Sequence, residues 1–176
     1  SLRAASGMSA VLEQSLTPEQ IRAGFTPERI ALIKRWYFDP DRFDRDMWPD
    51  NRDEPELWQS RASHLVAARD RVAIRSGHGV GKTCWLARRI IWWGSTRNPW
   101  KVGCTAPSSG QMFDALWSEL AKWHQKMRPE FRALFEWKAE RFEWAGQPAV
   151  SYAVAKTARR ETPEALLENS NKARAV

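Results

Sequence analysis

The stretch VAIRSGHGVGKT, residues 72–83, constrains the fold of this chain more than any other feature. It reads as a short apolar strand, a glycine-rich turn and the first residues of a helix. Its spacing follows the phosphate-binding loop pattern G-x-x-x-x-G-K-[ST], except that Ser76 stands where the pattern has its first glycine. A turn without a ligand would not need three glycines at alternate positions before Lys82 and Thr83. The stretch therefore predicts a nucleotide-binding loop.

Each residue type in this loop has a physical reason to contact a triphosphate. Glycines can adopt positive φ, so that successive backbone N–H groups turn toward an anion, and the helix that follows adds the positive end of its dipole. Lys82 can bring a cation to the β- and γ-phosphates, and the Thr83 hydroxyl can bind Mg²⁺. Lys82 is also a candidate catalytic residue. The candidate nucleotide-binding residues of the loop are Ser76, Gly77, His78, Gly79, Val80, Gly81, Lys82 and Thr83.

The elements predicted around the loop favour an α/β fold. A helix from Pro55 to about Arg69 precedes a strand over 71–75. A nearly all-apolar helix over 82–93 follows the loop, and Gly94 is its predicted C-cap. A strand over 100–105 and a helix with an apolar stripe come next. Strand, helix, strand and helix in this order predict a right-handed βαβ unit and a parallel sheet.

The rest of the chain gives weaker signals. Residues 17–37 read as helical, and residues 38–55 read as an acidic, proline-punctuated linker with Phe43, Met47 and Trp48 as its anchors. The first eight residues, SLRAASGM, are set aside as a possible expression remnant. Strands are predicted over 141–144 and 150–155, paired with each other. The predicted domains are a helical extension with a linker (1–54), a nucleotide-binding core (55–167) and a polar tail (168–176).

The net charge of +7 is distributed unevenly along the chain. Residues 1–70 carry 10 Lys and Arg against 12 Asp and Glu, whereas residues 71–176 carry 18 against 9. A basic half that contains the nucleotide loop favours a polyanionic partner. The alternative interpretation is a solvated basic surface that maintains solubility.

The two cysteines and the apolar runs exclude some function classes. Cys84 and Cys104 form no CxxC pair and no cluster with histidines, so a zinc site is not supported, and both read as small buried residues. No apolar run approaches the roughly 18 residues that a membrane span needs, so none is expected.

Two further stretches lie at informative distances from the loop. Gln59 precedes the loop strand, and its amide could offer a donor and an acceptor to an adenine edge; packing is the alternative role. Thr105 and Ser108 follow the second strand, where ligands of open α/β sheets bind. Their hydroxyls could contact phosphate, or Ser108 could simply cap the next helix.

Taken together, these stretches resemble the ATPase domain of the large terminase subunit of tailed phages, the motor that packages viral DNA. The matching segments are PELWQ (55–59), VAIRSGHGVGKT (72–83), KVGCTAPSSGQMFDALWSEL (101–120) and AKTARRETPEAL (155–166). The resemblance implies a P-loop NTPase fold of the RecA/helicase type, incomplete in this chain. It places Gln59 at the adenine pocket and the loop around ATP and Mg²⁺. It also implies a DNA-coupling element that contains Thr105, Ser108 and Gln111.

The resemblance also implies partners and a location. Double-stranded DNA, the portal and the small terminase subunit would be partners, and the complete protein would be a homo-oligomer. Its location would be the cytoplasm of a phage-infected or prophage-carrying bacterium, transiently at the procapsid portal. Arg75, Arg159 and Arg160 are candidates for a basic finger, and Arg75 is therefore a candidate catalytic residue.

One departure from the family pattern concerns catalysis. The family has an apolar strand ending in Asp-Glu shortly after the PEAL segment, and a nuclease domain beyond it. Here the chain continues with LENSNK (167–172), and Glu143 is the nearest imitation of the acidic pair. Since phosphoryl transfer to water needs a carboxylate or similar group to orient the water, we expect weak ATP binding and poor hydrolysis. The absent strand would also leave an open sheet edge, which another chain could fill.

Two alternatives to a packaging ATPase stay open on the sequence. The first is a truncated, non-catalytic terminase relative that acts as a DNA- or protein-binding regulatory module. The second is a different phosphate-loop family, helicase-like or kinase-like.

Overall fold

The computed structural model describes residues 27–50, 55–69, 71–108 and 110–157. The helices are α1 (Pro27–Tyr37), α2 (Pro40–Met47), α3 (Leu57–Ala68), α4 (Lys82–Thr96), α5 (Ser118–Gln125) and α6 (Pro129–Arg132), and a π-helical segment (Gln111–Trp117) leads directly into α5. The strands are β1 (Lys101–Ala106), β2 (Phe135–Lys138), β3 (Arg141–Trp144) and β4 (Tyr152–Thr157).

The four strands form one mixed sheet in the order β1-β4-β3-β2. β1 and β4 are parallel, with Cys104 opposite Ala155, whereas β3 pairs antiparallel with both β4 and β2. The expected parallel sheet of the RecA/helicase type is therefore wrong. The physical reason is the hairpin of β2 and β3, because a tight turn reverses the chain and places antiparallel strands beside β4.

The strand predicted over 71–75 is not formed. Residues 71–77 make no strand pairing, and Ile74 remains 37% exposed. A strand requires a neighbour that completes its ladder of hydrogen bonds, and the local run of apolar residues carries no information about that neighbour. The predicted βαβ unit around the loop is wrong for the same reason.

The other strand predictions agree with the structure. The strand predicted over 100–105 is β1, and the strand over 141–144 is β3. The strand predicted over 150–155 is β4, which begins two residues later and pairs with β3 as expected.

The linker predicted over 38–55 is wrong where α2 forms. The Asp39 carboxylate accepts a hydrogen bond from the Arg42 N–H at 2.9 Å, and Pro40 takes the first turn of the helix. A capping aspartate and a first-turn proline are strong helix-start signals, although proline and acidic residues also resemble a linker in composition. The three predicted anchors are confirmed as buried: Phe43, Met47 and Trp48.

The helix predicted after the loop is confirmed as α4, but its C-cap was misassigned. Gly94 lies inside the helix, and the C-cap is Arg97. A Cβ on Gly94 would lie 2.8 Å from the Trp100 ring, so the glycine provides room for that indole. The expectation that α4 is largely buried is also confirmed.

Aromatic side chains fill the core. Eight of the eleven tryptophans are buried, and the buried indoles tie separate segments together. Trp92 on α4 donates its Nε1–H to the Trp36 carbonyl at 2.8 Å, and Trp48 donates to the Trp123 carbonyl at 3.1 Å. These hydrogen bonds satisfy indole N–H groups that would otherwise be buried without a partner.

A buried charged group joins α2 to α4. The Asp44 carboxylate contacts Arg88 at 2.5 Å and also contacts Arg89, and all three side chains are buried. Arg88 also lies over the rings of Trp48 and Trp123. Burial raises the pKa of Asp44, against the opposing effect of Arg89 and Arg88. No sequence pattern predicts this group, because residues 44 and 88 are far apart in the chain.

Several predictions lie outside the described residues. They concern the helix over 17–26, the finger candidates Arg159 and Arg160, and the tail over 168–176. Within the described part of the chain, no helix has both the length and the apolar character required to cross a membrane.

Candidate functional site

The loop before α4 contains two glycines in a left-handed backbone conformation. Gly79 and Gly81 both have φ of +77°, a conformation that side-chain-bearing residues rarely adopt. Gly81 immediately precedes α4, and its carbonyl accepts the first helical hydrogen bond from the Trp85 N–H at 2.9 Å. The unpaired N–H groups of the first turn of a 15-residue helix therefore follow the loop directly.

An open depression of about 360 Å³ lies over this helix end. Its size is in the range of small-molecule sites. Backbone N–H groups and the positive end of the helix dipole make such a surface attractive to anions. The residues that line the depression are His78, Gly79, Val80, Gly81, Lys82, Thr83, Cys84 and Glu119.

Lys82 lies folded back over the loop. Its ammonium donates hydrogen bonds to the carbonyls of Ser76, at 3.3 Å, and of Gly77. Both bonds are exposed, so water or an anion can replace them at low cost. Ser76 and Gly77 thus hold the lysine at the loop, although neither lines the depression.

Gln59 lies against the loop from the side of α3. The position of a Cβ on Gly81 would be 2.9 Å from the Gln59 Nε2 atom, so the amide packs directly on this glycine. The Gln59 Oε1 atom accepts a hydrogen bond from the Glu56 N–H at 3.2 Å, which closes the first turn of α3. The amide thus supports both the helix start and the loop, and the structure brings Gln59 and the loop together as the sequence predicted.

Trp85 fixes α3 to α4 below the loop. Its Nε1–H donates to the Gln59 carbonyl at 3.1 Å and to Ser63 Oγ at 2.8 Å. Because Trp85 is buried, these two hydrogen bonds fix the position of Gln59 relative to the loop.

The remaining predicted site residues lie outside the depression. Thr105 is exposed near the end of β1, and Ser108 and Gln111 follow it. The Ser108 Oγ atom accepts a hydrogen bond from the Gln111 N–H at 3.2 Å, which is the capping role that the sequence left open. Arg75 is exposed and is not among the residues that line the depression.

Glu119 is the residue of the depression that the sequence did not single out. It lies on α5, which packs against α4, and its side chain is 22% exposed. No motif marks it, since only the packing of two helices brings it to the loop. The half-buried Cys84 lies beside it, and burial raises the pKa of the Cys84 thiol, so the thiol stays protonated at neutral pH.

Oxygen donors in the depression fit Mg²⁺ better than a transition metal. The described residues contain no group of three or more His, Cys, Asp or Glu side chains arranged for a metal ion. Mg²⁺ does not need such a cage, because it usually takes one or two protein ligands and completes its shell with phosphate and water. The Thr83 hydroxyl would supply one such ligand here.

Comparisons with known protein families, with curated proteins and with solved structures find no match for this chain.

Proposed function

We propose that the chain binds ATP with Mg²⁺ at the depression over the start of α4. The observation that carries this proposal is the pair of positive-φ glycines, Gly79 and Gly81, set directly before a long helix. Positive φ at glycines before a helix start is the conformation in which consecutive N–H groups can turn toward an anion, which supports the proposal. Lys82 supplies the cation for the β- and γ-phosphates, and Thr83 supplies a hydroxyl for Mg²⁺.

We propose that the adenine base binds beside the Gln59 amide. Its Nε2 atom contacts the loop at Gly81, so a base beside α3 would lie within reach of the amide. The half-buried Trp58, whose ring centroid lies 6.2 Å from that of Trp85, offers an aromatic surface nearby. Packing of the amide on the loop alone is the competing role.

In its cellular context, we propose that the chain is the ATP-binding part of a DNA-packaging motor related to terminase large subunits. The four sequence segments in the family's order support this, together with the excess of basic residues after position 70. Double-stranded DNA is then the partner of the basic half. Its affinity for the chain should fall steeply with salt, since neutralised phosphates release counterions. A flat salt dependence would remove DNA from the proposal and leave protein partners only.

Thermal unfolding with and without ATP and Mg²⁺ tests nucleotide binding. A ligand at 100 times its Kd stabilises the folded state by about 2.7 kcal/mol, which corresponds to a rise in Tm of about 5–10 °C for a chain of this size. Lys82→Ala should reduce this rise by at least about half, as a tenfold or greater loss of affinity implies. Lys34→Ala, an exposed lysine on α1, is the matched control and should keep it. Equal Tm values with and without ATP in the unaltered chain would refute the proposal.

A further inference from the structure

We propose that Glu119 is the carboxylate that orients and deprotonates the attacking water during ATP hydrolysis. This inference rests on the proposed ATP site. It differs from the expectation of poor hydrolysis, which followed from the missing acidic pair. The structure supplies a carboxylate at the loop from α5, a helix that carries no catalytic motif.

The position of Glu119 is fixed by two donors on the same oxygen. The Trp123 indole Nε1–H donates to Oε1 at 2.8 Å, and the Lys122 ammonium donates to Oε1 at 3.0 Å. Among the described residues, no hydrogen-bond donor contacts the second oxygen, Oε2. The carboxylate is thus held in place by one oxygen and keeps the other as an acceptor.

Glu119 shares the depression with the residues that would hold the triphosphate. Lys82 and Thr83 line it at the helix start, and Glu119 lines it from the neighbouring helix. The other carboxylate considered from the sequence, Glu143, does not compete for this role. It is 2% exposed, contacts Lys138 and Arg141 in the sheet, and does not line the depression.

In the proposed step, Glu119 accepts a proton from the water that attacks the terminal phosphorus of ATP. The water oxygen forms a bond to the terminal phosphorus, and the bond between that phosphorus and the bridging oxygen breaks. The electron pair of the broken bond leaves on ADP. The water proton passes to Oε2 of Glu119 and then to solvent. Lys82 stabilises the charge that develops on the transferred group. Mg²⁺ held by Thr83 would neutralise charge on the phosphates.

A purely structural role is the competing explanation, since Glu119 also accepts hydrogen bonds from Lys122 and Trp123 within α5. The variant Glu119→Gln separates the two roles. Its amide oxygen can still accept the Trp123 hydrogen bond, so the packing of α5 should remain. It cannot act as a base. Glu136→Gln, an exposed carboxylate on β2, is the matched control.

The experiment measures phosphate release and ATP affinity on the full chain and on both variants. Glu119→Gln should retain ATP affinity within about threefold and lose roughly 10²-fold or more in hydrolysis rate, the typical contribution of a general base. Glu136→Gln should match the unaltered chain in both quantities.

Three outcomes of this experiment lead to different conclusions. ATP binding with equal hydrolysis in Glu119→Gln and the unaltered chain would overturn the role of Glu119. ATP binding without hydrolysis in the unaltered chain would overturn it as well. Absence of ATP binding in the unaltered chain would instead refute the proposed ATP site on which the inference rests.

Discussion

The three glycines of the loop are not equivalent, although they look alike in sequence. Gly81 has positive φ, and a Cβ there would also lie 2.9 Å from Gln59 Nε2. Gly79 has positive φ, but a Cβ there would meet no atom within 4 Å. Gly77 has neither a positive φ nor a close neighbour. The loop therefore combines two conformational requirements with one close contact.

Alanine substitution of these glycines should destabilise the ligand-free protein to a different extent at each position. Gly81→Ala should cost about 1–3 kcal/mol, because positive φ strains alanine and the Gln59 amide must move. Gly79→Ala should cost about 1–2 kcal/mol for positive φ alone. Gly77→Ala is the internal control and should change stability by less than about 0.5 kcal/mol. Urea denaturation measures all three, and equal losses at the three positions would contradict the loop conformation.

The position of the glycines could be predicted from the sequence, since the loop pattern demands them at fixed spacing. Their separate constraints could not, because the contact of Gly81 with Gln59 depends on how α3 packs. Glu119 was missed for the same kind of reason. It is one of 21 acidic residues, and only the packing of α5 against α4 distinguishes it.

Among the secondary-structure elements, local signals sufficed to locate α3, where Pro55 marks the helix start, and α4, which is a nearly all-apolar run after the loop, although Leu57 and Leu65 of α3 are exposed. For α2, the Asp39 cap and Pro40 are helix-start signals, but the acidic, proline-rich composition around them predicts a linker. Local signals gave a wrong prediction for residues 71–75, because a strand depends on a partner elsewhere in the chain. The order and direction of strands in a sheet also depend on segments far apart in the chain, so no local sequence signal could distinguish the mixed sheet from the expected parallel one.

The contact between α2 and α4 combines apolar packing with one carboxylate between two buried arginines. Asp44→Asn should destabilise the protein by about 3–5 kcal/mol, since it leaves two guanidinium charges buried without a counter-charge. Asp50→Asn, an exposed aspartate just after α2, is the control and should cost less than about 0.5 kcal/mol. Chemical denaturation gives both values. A loss below about 1 kcal/mol for Asp44→Asn would show that the pair does not hold the helices together.

For the molecule as a whole, the candidate site lies at the convergence of three helices rather than at a sheet edge. α4 provides the loop end, α3 provides Gln59, and α5 provides Glu119. Side chains beneath the site hold these helices together, since Trp85 on α4 donates a hydrogen bond to Gln59 on α3, and Arg88 on α4 lies over the Trp123 ring on α5. The site thus depends on helix packing, and none of the described strand residues lines it.

Backbone amide NMR during an ATP–Mg²⁺ titration tests nucleotide binding at this site most directly. The amide signals of Gly79, Gly81, Lys82 and Thr83 should shift in a saturable way, since their N–H groups are expected to contact the phosphates. The same titration of Lys82→Ala should need at least about tenfold more ATP, the effect of losing about 1.4 kcal/mol of binding free energy. Unchanged loop signals at millimolar ATP in the unaltered chain would contradict the proposal that this loop binds a nucleotide.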